Sequence, residues 1–159
     1  MQTEMLSKNL LKKTKILSIY ILALFYIIVG YKHFTNVDFF LVIVPPYFPF
    51  PEFIVYLSGI FEIVLGFLII PSKSRKYASF GLILLLIAVF PANIYLYTSE
   101  TAQNLYGINK IDALIRLPFQ IPLIIIAFWH SLNNSSSEFD LIAIFLFIPT
   151  IIYFLSLSI

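Results

Sequence analysis

The chain has 159 residues, of which 60% are hydrophobic and 11% charged, with a mean hydropathy of +0.96. Soluble domains run at about 45 to 50% apolar and about 25% charged, so this composition cannot cover a water-facing surface and the solvent is lipid. Cysteine is absent and the net charge is only +2, which excludes disulfide relays, thiolate metal or iron–sulfur sites and cysteine nucleophiles and leaves no basic surface for nucleic acid.

A helix that spans a bilayer needs about 20 mostly apolar residues, and five windows approach that length. Residues 1–15 are read as a basic arm carrying Lys8, Lys12, Lys13 and Lys15. The first window, Ile16 to Tyr31, is expected to be a retained helix and not a signal peptide, because no small-residue cleavage pattern follows Ile28. It ends in Tyr31-Lys32-His33-Phe34, an aromatic and basic boundary of the kind found at membrane interfaces. Residues 39–44 are apolar but too short to span. They run into Pro45-Pro46-Tyr47-Phe48-Pro49-Phe50-Pro51, whose four prolines in seven residues predict a stiff, non-helical segment. Its aromatics are expected either to lie over the mouth of the bundle or to form a plain interfacial belt.

The second window is Phe53 to Ile70, followed by the short connection that holds Lys73, Arg75 and Lys76. The third is Tyr77 to Tyr97, with Pro91 inside it, and the fourth is Ala113 to Leu132, with Pro118 and Pro122. The fifth, Phe139 to Ile159, has Pro149 near its middle and no basic anchor; a full span is expected, lying along the bundle being the other reading. The runs are apolar all round, as lipid-facing helices are, and do not alternate as barrel strands do. The predicted fold is an all-α, polytopic membrane helix bundle, with a core over 16–132 and an extra membrane segment over 133–159. Seven basic residues lie in the arm and the second connection, against Lys32 and Lys110 in the first and third. That bias predicts a cytoplasmic amino terminus.

Ionisable groups in hydrocarbon cost about 2.5 to 3.5 kcal/mol at mid-helix by insertion scales, so they normally face a bundle interior. Glu62, Asn93, Arg116 and Gln120 are such positions. At about 1.5 Å per residue, Glu62 lies about 14 Å below Phe53, Asn93 about 6 Å below Tyr97, and Arg116 and Gln120 about 5 and 10 Å below Ala113. All four are therefore expected to share one outward-opening pocket, in which Arg116 can reach Glu62. The competing reading pairs Arg116 with Asp112, one turn away, and leaves Asn93 and Gln120 as hydrogen-bond links between helices. Gly59, Glu62 and Gly66 share a face where a neighbouring helix can approach closely. His33 and His130 fall at opposite membrane faces, so they cannot share a metal, and no metal site is expected.

A set of words along the chain resembles the small DoxX-type membrane proteins of bacteria. They are Gly30-Tyr31-Lys32-His33-Phe34, Ile43-Val44-Pro45-Pro46-Tyr47, Val55 to Ile63 with Glu62, Gly66, Pro71 with Arg75, Gly81-Leu82, Ala88 to Tyr95 with Asn93, and Arg116-Leu117-Pro118-Phe119-Gln120. The likeness runs in order over residues 16–131. It implies a four-helix DoxX-like core in the bacterial inner membrane, with the segment after Ser131 as a departure. For activity it implies quinone-linked sulfur oxidation, complexes that handle thiol stress, or assembly of other membrane proteins. The matched site positions are Glu62, Asn93, Arg116 and Gln120, with His33 as a fifth.

Two functions are weighed. In the first, the pocket binds a quinone-like molecule or a lipid: Arg116 and Gln120 donate to an acceptor oxygen, Asn93 orients it, Glu62 balances charge or relays a proton, and Tyr47, Phe48 and Phe50 cover the ring. Without thiols or an intrinsic cofactor, redox chemistry then needs a partner oxidoreductase. In the second, the chain is a scaffold or assembly factor, alone or as a homo-oligomer, whose polar groups only set helix register. No nucleophile, base or phosphate loop points to catalysis.

Overall fold

Long apolar runs separated by prolines and short polar connections fold into helices. The computed structural model describes residues 2–156, with side chains from Lys8 onward; Met1 and the last three residues of the fifth window, 157–159, lie outside the described residues. The elements are α1 (Gln2–Thr35), α2 (Val37–Leu41), α3 (Pro51–Leu68), α4 (Ser72–Thr98), α5 (Glu100–Tyr106), α6 (Lys110–Ser131) and α7 (Ser137–Ser156). The segments Lys8–Thr35, Pro51–Leu68, Ser72–Thr98, Lys110–Ser131 and Ser137–Ser156 are long and apolar enough to cross a bilayer. The protein is a multi-pass membrane helical bundle. Its outward faces carry large apolar side chains, Leu84 and Phe145 being 68% and 77% exposed.

Three features of local structure go beyond the apolar windows. The basic arm is continuous with the first window: its lysines are good helix formers, and α1 runs unbroken from Gln2. Part of the first connection is helical, since α2 takes in Phe39, Phe40 and Leu41 before the prolines stop it. The third connection contains α5, which Ser99 starts by accepting from the Ala102 N–H and Gly107 ends in the left-handed conformation at φ 79°. Gln103 Nε2 then donates to the carbonyls of Leu96 and Tyr97, at 3.0 and 2.8 Å, folding α5 back onto the end of α4.

The long helices pack in the order α1, α3, α4, α6, α7, and α7 returns to α1. Glycines set the closest of these contacts. A Cβ on Gly30 would lie 2.7 Å from the Gly59 carbonyl oxygen, and one on Gly66 would lie 3.0 Å from the Ala23 carbonyl oxygen. The small-residue face of α3 is thus used against α1 inside one bundle. One half of the interior is filled by Ile19, Leu22, Ile69, Leu82 and Ile126, each 1% exposed or less.

At that same end, a polar cluster fastens α7. Trp129 Nε1 donates to Asp140 Oδ1 at 2.6 Å, Ser135 Oγ donates to the same oxygen, and Lys15 Nζ donates to the Leu132 carbonyl at 2.8 Å. Ser18 Oγ and His130 Nε2 lie 2.9 Å apart beneath it. Helix α7 packs on both α6 and α1.

Candidate functional site

At the opposite end, where α1 and α4 finish and α3 and α6 begin, the helices enclose a cavity of about 330 Å³, neither sealed nor flat. That volume lies at the lower end of the about 300 to 1,000 Å³ typical of small-molecule sites. Every helix contributes to its wall, from Tyr26 and His33 on α1 to Phe154 on α7.

Glu62, Asn93, Arg116, Gln120 and His33 all line this cavity, as does Phe48. Tyr47 does not. The turn closed by the Phe48 N–H on the Pro45 carbonyl, 3.1 Å, leaves Phe48 facing inward and Tyr47 outward and 70% exposed. Phe50 is 79% exposed and likewise covers nothing; its backbone, at φ 55°, makes the bend into Pro51 at the first position of α3.

The expected contact between Glu62 and Arg116 is not made. The glycine contacts draw α1 onto α3 so closely that Glu62 meets His33 instead, with Oε2 3.2 Å from Nδ1. The imidazole Nδ1 lies 2.9 Å from the Val29 carbonyl, and Glu62 Oε2 lies off its hydrogen-bond direction, with no donor of its own. Phe40 of α2 stacks on the His33 ring, centroids 3.6 Å apart, and fixes its plane.

Arg116 finds its partner on α5, where Nη1 donates to the Tyr106 hydroxyl at 2.8 Å and Cζ lies 5.0 Å from the centre of the Tyr106 ring. The carboxylate of Asp112, one turn before it, completes a capping box with Asn109 at the start of α6. Gln120 is committed as well. Its Nε2 donates to the Leu86 carbonyl and its Oε1 accepts from Asn93 Nδ2 at 3.1 Å. That ladder joins α4 to α6 beside Pro91, whose missing N–H leaves the neighbouring Ile87 carbonyl without its helical donor. Gln120 therefore braces the cavity wall with Oε1 and one Nε2 hydrogen, its second Nε2 hydrogen having no partner in that ladder.

Three buried atoms on the lining residues have no hydrogen-bond partner: Tyr26 Oη, Glu62 Oε2 and Arg116 Nε. Buried polar atoms are nearly always paired; these three lie on residues of the cavity wall, while Ser79 Oγ, His130 Nδ1 and Tyr153 Oη are unpartnered away from it. The walls between Tyr26, Glu62 and Arg116 are apolar and aromatic, including Phe25, Phe40 and Phe154.

A family model described as "Domain of unknown function (DUF8561)" matches residues 22–131. The chain belongs to the DUF8561 family. No curated protein and no solved structure matches it. The DUF8561 region holds the polar wall of the cavity from Tyr26 to Gln120, whereas α7, with Phe154, lies beyond it.

Sequence reasoning missed Tyr26, Phe40 and Tyr106. Tyr26 stands seven residues before His33, on the same helical face, and that spacing is a signal. Phe40 and Tyr106 carry none, because their roles depend on how α2 and α5 fold back over the bundle end.

Proposed function

We propose that this protein binds a small amphipathic molecule, quinone-like or lipid, in the cavity between its helices, as an accessory subunit of a membrane redox or stress-related system. The observation that carries this reading is the cavity itself, with Tyr26 Oη, Glu62 Oε2 and Arg116 Nε buried and unpartnered on an otherwise apolar wall. Tyr26 and Arg116 donate to an acceptor oxygen of the ligand, while Glu62 takes a donor or, with His33, balances charge or passes a proton. Asn93 and Gln120 hold α4 against α6 so that the wall keeps its shape. Phe40, stacked on His33, and Phe48 cover the opening.

Kinship with the DoxX-type proteins is part of the proposal, supported by the ordered motifs over residues 16–131. So is a place in the bacterial inner membrane with the amino terminus in the cytoplasm, supported by the seven-to-two bias of basic residues. The cavity then opens toward the outer leaflet, and a partner oxidoreductase supplies any electrons.

The test is extraction of the protein purified from membranes, followed by titration with decylubiquinone. A stoichiometric quinone or lipid in the extract, or saturable decylubiquinone binding, supports the reading; neither one appearing defeats it. A scaffold without a ligand is the second reading, favoured by the use of Asn93, Gln120 and Leu86 as a link between helices. Replacing Glu62 by Gln and Arg116 by Met together separates the two in protein that still folds: a scaffold keeps its partner and a binding site loses its ligand.

A further inference from the structure

Arg116 is 9% exposed, and a guanidinium stays charged at any accessible pH. Of its donors, Nη1 is used on a neutral phenol and Nε on nothing. Among the described residues no carboxylate lies within 4.0 Å of it: Glu62 sits beside His33 and Asp112 caps α6. Arg116 is thus a buried cation with no carboxylate at salt-bridge distance among the described residues, in a low-dielectric wall where a lone charge is costly unless paired.

The remaining walls are graded. Arg116 is six residues into α6, about 9 Å along the helix from Lys110, and Tyr106 and His33 sit near it at the same end. Further in, Phe25, Leu86, Leu123 and Phe154 form an apolar floor. We infer that the cavity takes an amphiphile with a single anionic head, carboxylate or phosphate, seated on Arg116 beside Tyr106, with its apolar tail directed to that floor. This rests on the reading of the cavity as a binding site for an amphipathic molecule and narrows it: a neutral quinone accepts hydrogen bonds but leaves the charge of Arg116 unbalanced, whereas an anion forms charge-assisted hydrogen bonds with the guanidinium.

The test is binding to the purified full chain, by native mass spectrometry, of oleate, oleoyl lysophosphatidate, oleyl alcohol and decylubiquinone. At least one anion is expected to bind about tenfold or more tighter than the alcohol, which has the same tail, the difference being a charge-assisted hydrogen bond. The tighter anion identifies the head. In Arg116→Gln the preference is expected to vanish, and in Arg116→Lys, which keeps the charge, to persist in part. Should Arg116→Gln fail to fold, the wild-type comparison of anion with alcohol decides. Equal binding of alcohol and anions, or a preference that survives in Arg116→Gln, overturns the inference. Decylubiquinone bound alone also overturns it but leaves the underlying site standing, and no binding of any probe removes both.

Discussion

Glu62 is set against His33 and apart from Arg116. Its Oε2 lies 3.2 Å from His33 Nδ1, while Arg116, on the wall of the same cavity, gives Nη1 to Tyr106. Residues in contact couple by about 0.5 to 3 kcal/mol, and residues with no shared partner add within about 0.5 kcal/mol. A double-mutant cycle of His33→Ala with Glu62→Gln is therefore expected to show coupling in mixed-micelle unfolding, and the cycle of Glu62→Gln with Arg116→Met to be close to additive. Strong coupling in the second cycle alone contradicts this placement.

The glycine contacts between α1 and α3 make a second expectation. Gly30→Ala puts a Cβ 2.7 Å from the Gly59 carbonyl oxygen and 2.9 Å from Glu62 Cβ, so the backbones must separate, at a cost of about 1 to 3 kcal/mol. Gly81→Ala meets only the end of the Leu65 side chain, at 2.5 Å. A methyl-bearing tip turns aside, and alanine favours the helix over glycine by up to about 1 kcal/mol. Thermal unfolding in detergent is expected to fall clearly for Gly30→Ala and to move little for Gly81→Ala.

The link between α4 and α6 is checked by removing Asn93. Gln120 Oε1 then loses its donor, and interhelical hydrogen bonds of this kind contribute about 0.6 kcal/mol on average and up to about 1.7. Asn93→Ala is expected to lower unfolding stability within that range while Asn93→Leu, which is close in size and has no donor, does the same. Equal stability of both variants and wild type in mixed micelles would show that the ladder holds nothing.

Asp140 offers a local readout of α7. Asp140→Ala strips Trp129 Nε1 of its acceptor and frees Ser135, and a buried donor left unpaired costs about 1 to 3 kcal/mol. Trp129 is the single tryptophan of the chain, so its emission reports this site alone. A red shift, with faster hydrogen exchange in residues 132–140, is expected; unchanged emission and exchange contradict the role given to Asp140.

Much of the architecture was legible because lipid imposes a simple rule, that apolar runs of sufficient length become helices with every backbone group paired internally. The windows around Phe53, Tyr77 and Ala113 sit within a few residues of α3, α4 and α6. Depth along each helix also placed Glu62, Asn93, Arg116 and Gln120 on one cavity, since rise per residue is fixed. What the rule does not encode is who pairs with whom. Glu62 meets His33 because Gly30 and Gly59 bring two backbones into contact, a packing effect with no charge pattern behind it. Arg116 meets Tyr106 because Gln103 folds α5 back onto α4, while Asp112, the nearer partner in sequence, caps α6. Tyr47 faces away because a turn reverses the proline-rich segment, and composition is blind to the facing of a turn.

The account is tested most directly by an experimental map of the protein in native lipid nanodiscs. It predicts separate density inside the cavity, bounded by Tyr26, Glu62 and Arg116, with Glu62 beside His33. A closed interior, with Glu62 joined to Arg116 and packed side chains where the cavity lies, would contradict it.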